Sequence, residues 1–343
     1  MNYFNKIEED LNLIIFLAKK KYKEEIISIF LEGSYGRKEG AFFYKDNRYY
    51  PINDYDIMII TKNGWDNVMY LEFKALLEQM KVPRLDISIL AIDKFTKKNH
   101  SLARYDLIMN SEIIYGDNNI LELLEKFDQN KIPFREKEQL FFSRLISFLL
   151  FKYKKTKDKH YNLQQLSKSV ISAYESNLLQ SNIYSSSYVL NKNKFENLDY
   201  ITKSDKELLR FSYKIKLEPS LINFEEIDED VFFEKSCIFV REQFFKLLKG
   251  KNVLLKNISI YNIYFWLRPK RIVQILLSLV GNKKYFKDLI IISVQLKLFL
   301  NDFSLDNKEL RKIKKKLEAT TKQKLDNADE LIEYVIKTRM GWE

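Results

Sequence analysis

The sequence predicts an α+β fold: an N-terminal mixed sheet with flanking helices, followed by an all-helical domain. Three observations carry this. Short β-branched runs alternate with helical stretches over the first third of the chain. Strand-like alternation largely disappears after Pro133. Glycine and proline are scarce, at 8 and 5 in 343 residues, which disfavours an all-β or linker-rich protein and suits long helices.

Ile7, Leu11, Ile14, Ile15 and Ala18 recur at helical spacing, so an amphipathic helix is expected over Ile7 to Lys20, packed on the sheet that follows. Ile26 to Leu31 is a β-branched run ending at Gly33, the pattern of a buried strand. Ile57 to Ile60 reads as a second strand, stopped by Asn63 and Gly64. Val68, Leu71, Ala75 and Leu76 make Trp65 to Met80 helical. Leu85 to Leu90 alternates with period two and forms a third strand. Leu102 to Asn110 is helical, and Ile113 to Asp117 forms a short fourth strand and turn. Beyond Pro133, helical periodicity covers Lys137 to Tyr153, Leu163 to Leu179, Ser204 to Tyr213, Asp228 to Leu248 and Val273 to Val280. One or two charged helices are expected over Asn307 to Met340. A boundary between Gly116 and Pro133 follows, giving domains at 1–125 and 126–343, with a further subdivision of the second near residue 250.

Hydrophobic residues make up 46% of the chain and charged residues 31%, with a net charge of +11. That is the composition of a globular protein, and the positive balance suits an anionic partner such as a nucleoside triphosphate or a nucleic acid. A single cysteine, Cys237, excludes an internal disulfide and a thiolate metal cluster. The N-terminus is acidic and lacks a signal-peptide core, and no run reaches the length of a membrane span. The expected location is cytoplasmic. Two histidines, His100 and His160, lack partners at metal-ligand spacing. The basic runs Lys152 to Lys159 and Arg311 to Lys316 read as solvated faces.

The chemistry concentrates in two short strings. Gly33-Ser34 follows a buried strand, and Asp54-Tyr55-Asp56 opens the next. Residues two apart on a strand face one side about 6.6 to 6.8 Å apart, so Asp54 and Asp56 are expected to present two carboxylates together. Such a pair suits Mg²⁺, which takes a few carboxylates plus water and phosphate oxygens. Asp86, at the start of the third strand, is placed to add a third. Gly33 lets the backbone approach a phosphate closely, Ser34 adds a hydroxyl donor and Arg37 can add charge-assisted bonds.

These strings together resemble the signature of the polymerase-β-type nucleotidyltransferase superfamily: a hydrophobic strand, Gly-Ser, a spacer, Asp-x-Asp, then an acidic residue on a later strand. The form Gly33-Ser34-Tyr35-Gly36-Arg37-Lys38-Glu39-Gly40 is closest to bacterial small-molecule and minimal nucleotidyltransferases. The resemblance spans roughly residues 26 to 117. It implies that Gly33 and Ser34 hold the triphosphate, with Arg37 beside them. It also implies that Asp54, Asp56 and Asp86 bind two Mg²⁺ ions, with Mn²⁺ as a substitute, and that Asp86 completes the metal site or serves as general base. A lysine from the helical domain, Lys168, would reach the triphosphate. The implied reaction moves a nucleoside monophosphate from a nucleoside triphosphate to a hydroxyl of a small molecule, sugar or protein, releasing pyrophosphate. Template-independent addition to a nucleic acid and a non-catalytic, antitoxin-type partner protein are the alternatives. The spacer between Ser34 and Asp54 is longer than usual in that superfamily. Its aromatic and basic residues suggest a hairpin lip. Tyr184 and Tyr188 are read as core residues that could also line an acceptor or base pocket.

Overall fold

The computed structural model describes residues 3–45, 48–79, 85–97, 100–124, 127–249 and 327–340, with residues 295, 298, 299 and 311. The expected helix over Val273 to Val280 and the basic positions 312–316 lie outside the described residues. The chain forms two compact units. One comprises Met1–Lys137 and Ser181–Asn223, the other Glu138–Gln180 and Phe224–Glu343.

The first unit is built on a four-stranded sheet of β1 (Ile26–Glu32), β4 (Tyr55–Thr61), β5 (Leu85–Ala91) and β6 (Glu112–Gly116) in the order β5-β4-β1-β6. β4 runs antiparallel to β1 and parallel to β5, and β6 is antiparallel to β1, so the sheet is mixed. Alternation assigns the faces. Ile29, Leu31, Tyr55, Ile57 and Ile59 point to one side and are buried under α1 (Tyr3–Tyr22) and α3 (Asn67–Gln79), through Ile14, Leu17, Ala18, Phe73 and Leu77. Phe30 and Ile60 point to the other side. There they meet Phe95 of the one-turn helix α4 (Ile92–Phe95), Leu107 of α5 (Leu102–Asn110), Ile120 and Leu124. This second apolar layer leaves the opposite end of its face, where Glu32, Asp56 and Asp86 stand, to polar groups.

Tyr55 explains why the residue between the two aspartates is aromatic. Its ring is fully buried on the α1 side, and its hydroxyl donates to Asp10 Oδ2 at 2.9 Å. Asp10 also holds Lys6 at 2.7 Å. A buried hydroxyl needs such a partner.

The long spacer folds back on itself. β2 (Phe42–Lys45) pairs with β3 (Arg48–Pro51) as an antiparallel hairpin, in agreement with the expectation of a hairpin there. Its base is clamped: Ile52 N donates to Ala41 O at 2.9 Å, and Ala41 N donates to the buried Asn53 Oδ1 at 2.9 Å. The insert therefore leaves and re-enters the fold at one point. The extra length does not move Asp54 and Asp56 away from Gly33 and Ser34.

Four further elements of the first unit follow Ser181: α9 (Tyr188–Lys194), a 3₁₀ turn at Phe195–Asn197, α10 (Lys203–Leu217) and a 3₁₀ turn at Pro219–Leu221. α10 starts with a capping box, Thr202 to Asp205, and buries Leu208, Leu209, Tyr213 and Ile215.

The described part of the second unit is helical, as expected: α7 (Ile146–Lys154), α8 (Lys159–Gln180), α11 (Glu229–Lys249) and a helix over Ala328–Met340. The single helix expected over Lys137 to Tyr153 is instead α6 (Phe134–Arg144) and α7, broken at Leu145. There Phe148 N bonds Leu145 O, one residue short of the α pattern, and Ser169 Oγ donates to Arg144 O at 2.8 Å. Asn162 Nδ2 to Glu229 Oε1 at 2.9 Å and Asn177 Nδ2 to Gln243 O at 3.1 Å tie α8 to α11. Cys237 is buried, as an inert thiol would be. Among the described residues, no helix is long and apolar enough to cross a membrane.

Tyr55→Phe removes one partner from the buried Asp10 and leaves the ring in place. It is expected to lower stability by about 1 to 2 kcal/mol, read as a shift in the denaturation midpoint.

Candidate active site

Gly33 is the pivot of the site. Its φ of +61° lies in the left-handed region, where a side chain is disfavoured. A Cβ built on it would stand 1.7 Å from Asp56 Oδ2. The carboxylate of Asp56 thus lies directly on the Gly33 backbone. Gly33 opens the one-turn helix α2 (Gly33–Gly36), and Ser34 and Tyr35 within it are buried. Glu39 N donates to Ser34 O at 2.8 Å and closes the turn.

The acids line up across the sheet. Glu32 is the register partner of Asp56 on the antiparallel side, and Asp86 is its partner on the parallel side. Cross-strand partners share a face, so three carboxyl groups from β1, β4 and β5 stand in a row. Like charges so placed repel. Asp56 shows the effect: burial first, then the charges of Asp86 and Asp54, hold its carboxyl above the ordinary range, while Arg37 and Lys216 pull it down. Asp54 precedes β4 and is exposed, whereas Asp56 is half-buried on the strand. Asp54, Asp56 and Asp86 therefore share one electrostatic neighbourhood. Among the described residues, however, no three Asp, Glu, His or Cys side chains converge to hold a metal ion as they stand.

Glu32 is a site residue that the sequence reading passed over. Burial, then Asp56 and Asp106, push its carboxyl up to about 7, and Arg37 works in the opposite direction. Its signal in the sequence was an acid at the end of an otherwise apolar strand, directly before Gly33. Asp106, on α5, is a second. Burial raises it to about 7 against the lowering influence of Arg37 and of Tyr184, whose hydroxyl donates to Asp106 Oδ1 at 3.3 Å.

Two cations offset this charge. Arg37 bridges to Glu39 at 3.2 Å, with both side chains nearly buried, and lies 4.7 Å from the centre of the Tyr188 ring. Burial works against its charge, but Tyr188, Asp106 and Glu39 outweigh that and raise it overall. Lys216, near the end of α10, places its ammonium 3.1 Å from Ser34 Oγ and 5.4 Å from the centre of the same tyrosine ring. Lys216 is buried, and 182 residues separate it from Ser34. No local pattern could have pointed to it. Lys168, the lysine expected to serve the triphosphate, is half-buried on α8 in the second unit. Tyr184 is buried against Asp106 and Tyr105, and Tyr188 is half-buried between the two cations.

No family model matches the sequence, and no curated protein matches it. Among solved structures, the chain is similar to a crystal structure of the toxin–antitoxin MntA–HpeT in mutant form. The identity is 17%, over 33% of this chain and 78% of that one, and the TM-score is 0.25.

Two outcomes test this geometry. Gly33→Ala forces the Asp56 carboxylate aside and strains the turn, and is expected to cost about 1 to 3 kcal/mol in denaturant unfolding. Asp106 carries its raised value only when folded, so its contribution to stability is full below the ordinary value of 3.8 and is lost as pH rises through about 7. Glu32 acts in the same direction from 4.5. Asp106→Asn keeps an acceptor for Tyr184 without the charge. Measured against pH, wild-type stability is expected to fall by about 1 to 3 kcal/mol between pH 5 and pH 8, and the variant to show a shallower slope.

Proposed function

We propose that the first unit transfers a nucleoside monophosphate from a nucleoside triphosphate to a hydroxyl group, releasing pyrophosphate. The observation that carries this reading is the meeting of Gly33, Ser34, Lys216 and Asp56 in one corner. A backbone open to close approach, a hydroxyl and an ammonium form an anion-holding turn. An acidic row begins at the same glycine.

In this reading Ser34 and Lys216 hold the terminal phosphates, the hydroxyl as a donor and the ammonium as a charge. Asp54, Asp56 and Asp86 are the residues that would hold Mg²⁺. The donor set fits, because hard carboxylate oxygens that repel one another are stabilised by a divalent cation between them. When bound, the metal supplies neutralisation of the charge on the reacting phosphate. Asp86, exposed at the strand start, takes the proton of the acceptor hydroxyl. The hydroxyl oxygen bonds to the α-phosphorus as the bond to the pyrophosphate oxygen breaks. Glu32 and Asp106, each pushed up to about 7 and so about half protonated near neutral pH, limit the negative charge that the triphosphate meets. The acceptor is a small molecule, a sugar or a protein side chain. The net charge of +11 favours one second reading, addition to a nucleic acid.

The test combines the full chain, labelled triphosphates and Mg²⁺ with candidate acceptors. Asp56→Asn and Asp86→Asn are expected to lower turnover about 100-fold or more. Lys216→Met is expected to raise KM for the triphosphate about tenfold. Asp54→Ala and Asp56→Ala proteins that bind the metal–nucleotide as well as wild type overturn the metal assignment. Single-strand binding that weakens steeply with salt decides for the nucleic-acid acceptor.

A further inference from the structure

The site loop and α9 are joined by one carboxylate. Glu39 Oε1 accepts from Ser187 Oγ at 2.6 Å and from Val189 N at 3.1 Å, and Glu39 Oε2 accepts from Tyr188 N at 3.0 Å. Two of these donors are backbone N–H groups at the start of α9, which need an acceptor from outside the helix. Ser187 is already the N-cap and accepts from Leu190 N. Glu39 thus caps a helix that begins 149 residues further along the chain. The oxygen that takes the Tyr188 N–H, Oε2, also accepts from Arg37 Nε at 3.2 Å. A carboxylate that accepts several such bonds is firmly held.

The residue fixed at the centre of these contacts is Tyr188. Its N–H is on Glu39, and its ring faces Arg37 at 4.7 Å and Lys216 at 5.4 Å. Cations over an aromatic face gain most when desolvated, and Lys216 is buried. An ordered line runs from Glu39 to the Tyr188 backbone, through its ring to the Lys216 ammonium, and on to Ser34 Oγ. The neighbouring contacts of Asn110 with Ser186 and of Gln129 Nε2 with Tyr184 O hold the segment before it.

We infer that Glu39 is a positioning residue: through Tyr188 it sets where the Lys216 ammonium stands over the Ser34 turn, and so how tightly the site holds the terminal phosphates of a nucleoside triphosphate. This rests on the phosphate-holding role proposed above for Ser34 and Lys216. Glu39 itself touches neither phosphate nor acceptor. It tunes binding of the anion and leaves the transfer step alone.

The experiment uses the full-length protein and reads Lys216 directly, by amine-reactive labelling and mass spectrometry. Wild-type Lys216 is expected to be protected, and Glu39→Ala to raise its labelling about five-fold or more, while the exposed Lys21 and Lys97 label as before. Ser187→Ala, a milder loss of one donor, gives a smaller rise in the same direction if Glu39→Ala does not fold. Tyr188→Leu is expected to raise labelling as far as Glu39→Ala does, and the double variant no further, as sites acting through one line are not additive. Unchanged Lys216 labelling in a folded Glu39→Ala protein, or additive effects of Glu39→Ala and Tyr188→Leu, overturns the inference. The second arm measures the consequence: Glu39→Ala raises KM for the triphosphate about five-fold with kcat within about two-fold. A fall in kcat with KM unchanged also overturns it. If wild type neither binds nor turns over triphosphate, the proposed function fails, and the labelling arm still decides the positioning role.

Discussion

Repulsion within the acidic row sets the terms for the rest of the first unit. Glu32, Asp56 and Asp86 are register partners on three adjacent strands, and the hydrophobic alternation of β1, β4 and β5 leaves them no other face. Ile29, Leu31, Ile57 and Ile59 must point to α1 and α3, so the intervening acids must point away together. A one-residue slip would exchange the faces and bury the carboxyl groups in the apolar layer. The same pattern that makes the core therefore also makes the charge problem. Three responses are visible: carboxyl groups pushed above their ordinary range, two cations with little exposure, and an open glycine that receives the Asp56 carboxylate.

Cations of this kind are costly to bury alone. Arg37 is satisfied by Glu39, the Tyr188 ring and the field of Asp106, and Lys216 by Ser34 and the same ring. Each compensating group brings its own partner, and the partners come from the segment after Ser181. That segment is bound to the sheet domain by polar contacts at Tyr184, Ser186, Ser187 and Tyr188. Electrostatic balance, as much as apolar burial, explains why residues 181–223 belong to the first unit.

Much of the sheet was legible because its signals are local. Period-two runs, a glycine after a strand and acids at a strand start depend on neighbours in sequence, and β1, β4, β5 and β6 lie where those signals put them. The long spacer was legible as a hairpin, but its harmlessness was not, because the clamp at Ala41, Ile52 and Asn53 is a matter of tertiary hydrogen bonds. The break at Leu145 is met by Ser169 and the first N–H groups of the helix at Tyr188 by Glu39, partners that lie outside those segments. Lys216 was invisible for the same reason. On α10 it is one lysine among several, and only the return of that helix to Ser34 distinguishes it. Glu32 was visible and undervalued, since the last residue of a strand usually faces solvent.

The discontinuity of the first unit bears on its assembly during synthesis. β1 to β6 are complete by Gly116, early enough to collapse into a sheet while translation continues. At that stage the acidic row has Arg37 but lacks Lys216, and Glu39 has no helix to cap. A hundred residues separate the last strand from the lysine that completes the corner, and α6, α7 and α8 emerge in between. Until Lys216 emerges, the acidic row lacks one of the two cations that offset it in the folded unit. The corner is thus closed by a contact between residues 182 positions apart, which the chain can make only after α10 has been synthesised.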